Sequence, residues 1–133
     1  MRGSCLCGGI AYEITRLDSP IEHCSCRYCR KAHAAAFNTS AGVRREHFRW
    51  LRGAERLRTY ESSPGKRRSF CGQCGTPLVA ERDGLDLLML RVATLDEDPG
   101  ARPALRIFTA DEVPWLAYGP EIAAYPEWEP GHR

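Results

Sequence analysis

Cys24-Ser25-Cys26-Arg27-Tyr28-Cys29 places three thiols within six residues. Two cysteine pairs flank this cluster in the sequence, Cys5 with Cys7 and Cys71 with Cys74, and the three groups hold all seven cysteines of the 133-residue chain. An odd number of cysteines cannot pair completely into intramolecular disulfides, and tight C-x-C and C-x-x-C groups are typical of metal ligands. A set of unrelated buried or redox-active thiols is the alternative, and the tight grouping disfavours it.

The two flanking pairs predict a closed zinc site. Cys5, Cys7, Cys71 and Cys74 offer four thiolates, the tetrahedral set that structural zinc takes. Glycines beside both pairs permit the tight turns that such a site needs. This zinc would fasten the start of the chain to its middle. A different pairing, in which Cys5 and Cys7 join two of the central thiols, is also compatible with the spacing.

The central cluster then offers three thiolates, from Cys24, Cys26 and Cys29, to a second zinc ion. Three protein ligands with a fourth, exchangeable position are typical of catalytic zinc. A fourth protein ligand is the alternative, and His23 and His33 are the imidazoles near enough in sequence to supply it. Iron–sulfur ligation is a further alternative, which the spacing does not require. We therefore expect two zinc ions per chain, with chemistry at the central cluster.

Alternating apolar residues predict a mainly β fold of short antiparallel strands, as at Ile10, Tyr12 and Ile14. The predicted strands cover residues 9–14, 21–24, 36–40, 48–52, 56–60, 77–81, 85–92 and 105–108, and residues 66–70 lead into the Cys71–Cys74 pair. The fourth and fifth of these are predicted to form a hairpin around Gly53. One short helix over Arg27–His33 follows the central cluster, and its first turn would bring backbone N–H groups close to the thiolates.

Length and composition indicate one globular domain over residues 1–133. The chain is 43% hydrophobic and 27% charged, and no apolar run approaches the roughly 18 residues of a membrane span. The first residues do not resemble a secretory signal, so we expect a cytoplasmic protein with reduced thiols. The formal net charge is +2. Two zinc ions bound by seven thiolates would bring it to about −1, which disfavours a nucleic-acid partner.

A basic stretch runs from Arg44 to Arg68. It contains nine lysines and arginines against three glutamates, a local charge of +6. Arginine forks suit the carboxylates of an anionic ligand such as glutathione. A solvated strand face is the plainer interpretation of the same residues.

The order of the cysteine motifs resembles the glutathione-dependent formaldehyde-activating enzyme family, which also includes centromere protein V. The motifs that carry the resemblance are Cys5-Leu6-Cys7-Gly8, Cys24-Ser25-Cys26-Arg27-Tyr28-Cys29-Arg30-Lys31-Ala32 and Arg68-Ser69-Phe70-Cys71-Gly72-Gln73-Cys74-Gly75-Thr76-Pro77-Leu78. The resemblance covers nearly the whole chain and includes Phe48 and Trp50 before Gly53, and the late segment Val113-Pro114-Trp115-Leu116.

The resemblance implies a zinc-pinned, β-tent-like fold and a division of the seven cysteines between two zinc ions. The implied ligands are Cys5, Cys7, Cys71 and Cys74 for a structural zinc, and Cys24, Cys26 and Cys29 for a catalytic zinc. The implied activity joins formaldehyde to glutathione, formally a carbon–sulfur lyase reaction run in reverse. A small thiol such as glutathione is then the expected partner, and a membrane is not.

Two hypotheses about function follow. In the first, the central zinc of an enzyme binds the sulfur of glutathione or polarises the aldehyde oxygen. Three thiolates weaken zinc as a Lewis acid, which favours a role in holding a thiolate, and His33 is the candidate general acid–base residue. In the second, the chain is a zinc-stabilised binding module without catalysis, and its basic face meets an acidic protein or nucleic acid.

Overall fold

The computed structural model describes residues 1–117 and 122–131, and this part of the chain contains ten strands and one α-helix. The strands are β1 (Arg2–Ser4), β2 (Ala11–Ile14), β3 (Ile21–Cys24), β4 (Asn38–Arg44), β5 (Phe48–Arg52), β6 (Leu57–Ser63), β7 (Lys66–Cys71), β8 (Pro77–Arg82), β9 (Leu87–Arg91) and β10 (Pro103–Ile107). The helix α1 spans Arg27–His33. Short 3-10 turns cover Arg45–His47, Ala54–Arg56, Val92–Thr94 and Thr109–Asp111. The predicted mainly β fold, with one short helix after the central cluster, is confirmed.

The strands form two sheets. One has three strands in the order β1-β2-β5, and the other has seven in the order β10-β3-β4-β9-β8-β7-β6. The neighbouring strands are antiparallel as expected, with the exception of β10, which pairs in parallel with β3. A parallel pair needs a long connection between its strands, and here most of the chain lies between β3 and β10.

The hydrophobic core contains residues from both sheets. Ile10, Tyr12 and Ile14 are almost fully buried, as their alternation predicts, and they cluster with Val43 and Leu90 of the larger sheet. Burying large apolar side chains in this way is the main favourable contribution to folding. The three-stranded sheet is therefore held against one face of the larger sheet.

The predicted hairpin between residues 48–52 and 56–60 is wrong. β5 pairs with β2, where Trp50 lies opposite Tyr12, and β6 pairs instead with β7 in the other sheet. The ring of Phe48 stacks on that of Tyr12 with centroids 5.3 Å apart, and it meets Trp50 edge-on at 4.8 Å. This aromatic packing against a buried tyrosine, which local turn signals do not reveal, holds β5 in the smaller sheet.

The helix α1 begins and ends with well-defined caps. Cys26 is its N-cap, and the Cys26 Sγ accepts a hydrogen bond from the backbone N–H of Cys29 at 3.4 Å. Ala34 ends the helix in the left-handed conformation, and its N–H donates to the Arg30 carbonyl. The helix boundaries and the approach of backbone N–H groups to the thiols are as predicted. Within the described ranges no helix has the length and apolar character to cross a membrane.

The aromatic residues near the end of the chain lie on the surface. Trp115, Tyr125 and Trp128 are exposed, and Tyr118, which the sequence places in the same group, lies outside the described residues. The core and the cysteine clusters are built from residues that precede this segment.

Candidate metal centres

The four flanking cysteines come together where the start of the chain meets the end of β7. Cys5 and Cys7 lie in the loop after β1, whereas Cys71 ends β7 and Cys74 lies in the turn that follows. All four Sγ atoms lie within 4.8 Å of one another. Cys5 and Cys71 belong to the hydrophobic core, and Cys7 is exposed. The fold thus brings together two pairs that are far apart in sequence.

The sulfur geometry of this cluster fits a tetrahedral metal and does not fit disulfide bonds. The Cys7 sulfur lies 3.6 Å from that of Cys5 and 3.9 Å from that of Cys71. A disulfide needs about 2.05 Å. A tetrahedral zinc with bonds of about 2.3 Å to sulfur would hold its ligands about 3.8 Å apart. All seven cysteines are unpaired, so the four sulfurs could hold a zinc ion.

The backbone around the four-cysteine cluster is shaped to surround an ion. Gly8 and Gly75 have φ of 76° and 82°, a left-handed conformation that side chains with a Cβ rarely adopt. The N–H of Ile10 donates to Cys5 Sγ at 3.3 Å, and the Thr76 hydroxyl lies 3.2 Å from Cys74 Sγ. The hydrogen bond from Thr76 lowers the pKa of the Cys74 thiol to about 5. Thr76 therefore favours the thiolate form of Cys74, the form that metal ligation requires.

The central three cysteines form a second group at one end of β3 and α1. Cys24 ends β3, Cys26 caps α1 and Cys29 lies in its first turn, and their Sγ atoms also lie within 4.8 Å of one another. Asn38 is the strand partner of Cys24, and its Nδ2 lies 3.9 Å from Cys29 Sγ. The hydrogen bond at the helix N-cap and the strand pairing therefore help to position these sulfurs.

Positive charge is needed to keep the Cys24 thiol deprotonated. Burial raises the pKa of the Cys24 thiol to about 12, and the neighbouring sulfurs of Cys29 and Cys26 contribute to the rise. A divalent ion that binds the three sulfurs would supply that charge directly. Three soft sulfur donors suit zinc, so the residues present fit the ion that the sequence predicts.

A cavity of about 340 Å³ lies against the central cysteines. Its walls include all three thiols, and they also carry four cationic side chains and one carboxylate. The cations are Lys66, Arg68, Arg82 and Arg91, and the carboxylate is that of Glu22. Three thiolates around one divalent ion would carry a single net negative charge. The cavity would thus keep a net charge of about +2 and would attract anionic ligands.

Arg91 is the most buried of these cations. It ends β9 opposite Ser40, and only 6% of its surface is exposed. Burial, followed by the charge of Arg68, lowers the pKa of the Arg91 guanidinium to about 10, so it remains charged at neutral pH. Its Nε has no hydrogen-bond partner among the described residues. A buried, charged and only partly satisfied guanidinium is characteristic of sites that bind an anion.

His33 lies beside a neighbouring cavity. This second cavity has a volume of about 450 Å³, and His33 lines it together with Arg68 and Arg91. Burial, with added repulsion from these two arginines, lowers the pKa of His33 to about 4, so its imidazole is neutral at pH 7. His33 is not among the residues that line the thiol cavity, and its role in acid–base chemistry stays a prediction.

The two histidines near the central cluster do not join it as ligands in the described structure. The metal-ligating group there contains the three thiols alone. The ring of His23 packs against Phe37 at 4.3 Å, and its Nδ1 lies 2.8 Å from the Thr39 hydroxyl. The alternative in which a nearby imidazole completes the zinc site therefore finds no support in this arrangement.

The cysteine motifs and the fold agree with a known family. The family model of the glutathione-dependent formaldehyde-activating enzyme matches residues 1–111. The chain belongs to this family. Its fold is also similar to the crystal structure of a Rhodobacter sphaeroides protein, a structural genomics target. The two are 26% identical, the match covers 80% of this chain and 98% of that chain, and the TM-score is 0.65. The resemblance found in the sequence is thereby confirmed.

In this member of the glutathione-dependent formaldehyde-activating enzyme family, the basic stretch does not form a single face. Arg45 and Arg49 pair on the surface with Glu81 and Glu13, at 2.9 Å each, and Arg67 pairs with an exposed aspartate. Lys66 and Arg68, on either side of Arg67 in β7, line the thiol cavity instead. Successive side chains of a strand point to opposite faces, which accounts for this division. The interpretation as a solvated face thus holds for Arg45, Arg49 and Arg67, whereas binding of an anionic ligand by Lys66 and Arg68 stays a prediction.

Arg91, Arg82 and Asn38 are site residues that were not predicted from the sequence. One of them carried a usable signal. Arg91 lies just before the end of the most apolar run of the chain, Leu85–Val92, and a charged residue within a buried strand requires a partner. Asn38 carried no comparable signal, because its approach to Cys29 depends on the pairing of β4 with β3.

Proposed function

We propose that this protein is a zinc enzyme that forms and breaks the carbon–sulfur bond between a small thiol and an aldehyde. Glutathione and formaldehyde are the expected pair, and the family membership supports an activity of this type. The observation that carries the proposal is the position of Cys24, Cys26 and Cys29 in the wall of a cationic cavity. A metal site with a purely structural role is closed and needs no such cavity.

In this proposal the chain binds two zinc ions with different roles. Cys5, Cys7, Cys71 and Cys74 hold a structural ion. The burial of Cys5 and Cys71 in the hydrophobic core supports that assignment, as does the link between the two sheets. Cys24, Cys26 and Cys29 hold the catalytic ion, and the adjoining cavity gives a substrate access to it.

The proposed reaction needs a thiolate that is stable at neutral pH. A zinc ion bound at the central cluster would supply the positive charge that lowers the pKa of an incoming thiol. The glutathione sulfur then donates an electron pair to the carbonyl carbon of formaldehyde. The carbonyl π pair moves to oxygen, which takes up a proton in balance with the one that the thiol has lost, and the product is S-hydroxymethylglutathione. Arg68 and Asn38 point hydrogen-bond donors at Cys29 Sγ and so help to hold that ligand in place.

The cationic wall of the cavity supports an anionic thiol as the substrate. Glutathione carries two carboxylates and one ammonium group, so its net charge opposes that of the cavity. Lys66, Arg68, Arg82 and Arg91 surround the space beside the thiols, and Arg side chains bind carboxylates through paired hydrogen bonds. We infer that these residues orient the tripeptide while its sulfur reaches the central cluster.

The unpaired state of all seven cysteines supports a location in the reducing cytoplasm. We also propose that residues 1–133 act as one domain. The alternative of a basic binding module is less well supported, because much of the surface charge in the basic stretch is paired, as at Arg45 and Arg49. A role in binding nucleic acid or a membrane is not part of this proposal.

Exchange spectroscopy by NMR tests the proposed activity. Formaldehyde and glutathione are mixed at equilibrium, and the rate of adduct formation is measured with and without the zinc-loaded protein. We expect faster exchange with the wild type and no acceleration with Cys26→Ser. Arg45→Gln, a surface variant outside the cavity, is the matched control and should retain the activity. An exchange rate that the wild-type protein leaves unchanged would contradict the proposed activity.

A further inference from the structure

The second cavity has no role in the proposed reaction. It has a volume of about 450 Å³, within the range of sites that bind small molecules. Its walls are largely apolar and include Tyr60, Phe70, Pro77 and Val79. Glutathione and formaldehyde are both strongly polar, so neither needs a pocket of this composition. The cavity therefore requires a different explanation.

A buried cation in the wall points to what the second cavity binds. Arg91 lines this cavity and is 6% exposed. The charged groups that act on its guanidinium are Arg68 and the three central thiols, and no carboxylate is among them. A buried guanidinium without a carboxylate beside it favours an anionic ligand.

The charges around the second cavity define the ligand further. Arg68 and Arg91 both contribute to its wall, and the residues that line it include no carboxylate. Arg68 Nε donates a hydrogen bond to the Ser62 hydroxyl at 2.9 Å. Its two terminal nitrogens approach the sulfur of Cys29, each at 4.0 Å. A planar anion with two oxygen acceptors matches the geometry of guanidinium groups. The remaining wall suits a flat or branched apolar body.

We propose that the second cavity is a distinct binding site for a small carboxylic acid with an apolar body, such as an aromatic acid. The carboxylate would pair with the guanidinium groups of Arg91 and Arg68. The apolar body would lie between Phe70, Pro77 and Val79. This site would lie beside the thiol cavity and share Arg68 and Arg91 with it, but its occupancy does not depend on the reaction proposed above.

Titration of the zinc-loaded, full-length protein with benzoate tests this site. Benzamide has the same shape without the charge, and acetate has the charge without the ring. Binding is followed by NMR through the methyl signals of Ala32 and Val79, which line the cavity. We expect saturable shifts with benzoate and a dissociation constant about tenfold lower than with either control compound, since charge-assisted hydrogen bonds and apolar burial must act together.

Two variants separate the site from unspecific binding. Ala32 is exposed on α1 and lines the cavity, so Ala32→Trp should fill the space without disturbing the core and should abolish benzoate binding. Ala35→Trp, which places the same ring beyond the end of the helix, is the matched control and should bind as the wild type does. Arg91→Gln should remove the preference for benzoate over benzamide.

Several results would overturn the proposal. These are the absence of saturable shifts with benzoate, equal affinities for benzoate and benzamide, equal affinities for benzoate and acetate, and unchanged binding in Ala32→Trp. Because the readout is binding and uses neither glutathione nor formaldehyde, a failure here is distinguishable from a failure of the proposed enzymatic activity.

Discussion

Arg68 holds both terminal nitrogens of its guanidinium 4.0 Å from the sulfur of Cys29. This contact joins β7, which ends in the four-cysteine cluster, to α1, which carries part of the three-cysteine cluster. Both terminal nitrogens direct a donor at the Cys29 sulfur, and each carries a second N–H that can serve an anionic ligand in the cavity. The two candidate metal centres are thus connected through one strand.

Arg68→Gln should weaken the proposed reaction without unfolding the protein. Loss of a charge-assisted hydrogen bond to a carboxylate costs about 1.5–3 kcal/mol, which corresponds to a roughly tenfold to hundredfold lower kcat/KM for glutathione. NMR exchange rates over a range of glutathione concentrations provide the measurement. Arg45→Gln, on the same basic stretch but outside the cavity, should stay close to the wild type. Equal effects of the two substitutions would contradict the assigned role of Arg68.

Substitutions in the two cysteine clusters should have different consequences. Cys71 is fully buried in the core, and a structural zinc supplies folding free energy, so Cys71→Ser should unfold the protein or abolish soluble expression. Cys26→Ser should leave a folded protein that binds one zinc per chain instead of two. Circular dichroism and elemental analysis provide the measurements. Loss of the fold in Cys26→Ser would show that the two roles are assigned wrongly.

The two zinc ions should differ in their exchange with chelators. The central cluster adjoins a cavity large enough for a small ligand, whereas four thiolates at the other cluster would complete the coordination of a zinc ion. We expect a colorimetric chelator to remove one equivalent of zinc quickly and the second only slowly or on unfolding. The fast equivalent should be missing from Cys26→Ser. Two equally inert ions would count against a catalytic role.

Tyr12→Phe should destabilise the fold by about 1 kcal/mol or somewhat more. The Tyr12 hydroxyl lies 2.7 Å from the Thr94 hydroxyl, which itself donates to the Arg91 carbonyl at 2.7 Å. Because the single proton of Thr94 is used in that bond, Tyr12 must be the donor, and the substitution removes it from a buried site. Urea denaturation measures the change. Tyr60→Phe, at a residue that is 66% exposed, is the control and should have an effect near zero.

Acidification should remove a contribution of Asp18 to stability. The backbone N–H of Arg44, the His47 ring and the Arg16 guanidinium all donate to this carboxylate and hold its pKa well below the usual range. A carboxylate whose pKa is lowered by folding stabilises the folded state at pH values above its pKa in the unfolded chain, which is about 3.9. That contribution is lost as the pH falls towards the folded pKa.

Protonation of metal-bound thiolates affects Asp18→Asn and the wild type alike. The difference between their free energies of unfolding at each pH therefore isolates the contribution of Asp18. Denaturant titrations should show Asp18→Asn less stable at pH 7, with the difference shrinking below about pH 4. Asp98→Asn removes an exposed carboxylate that pairs with Arg102, and solvent screening should make its effect smaller. A stability difference for Asp18→Asn that does not depend on pH would contradict the prediction.

Much of the fold could be predicted because its signals are local. The alternation of Ile10, Tyr12 and Ile14 predicts a buried strand face. The polar run after the central thiols predicts α1 with its observed limits. Tight cysteine spacing similarly identifies the two groups of candidate metal ligands, because each pair or triplet occupies a single turn or helix end.

The features that the sequence did not predict depend on contacts between distant segments. Phe48–Arg52 pairs with β2 because its aromatic side chains pack on Tyr12, and nothing near Gly53 specifies that choice. The cationic cavity likewise combines residues of β7, β8 and β9, and the alternation of side chains along β7 decides which of its basic residues enter the site. Neither arrangement has a signature within a short window of sequence.

Arg68 and Arg91 stand in the wall between two cavities, and this shared wall limits how the protein can change. A substitution at either arginine alters both compartments at once, so one specificity cannot be adjusted there without disturbing the other. Directed evolution toward a new thiol or a new acid should therefore accumulate its useful changes on the outer walls. Ala32 and Tyr60 bound one cavity, and Met89 and Phe108 bound the other.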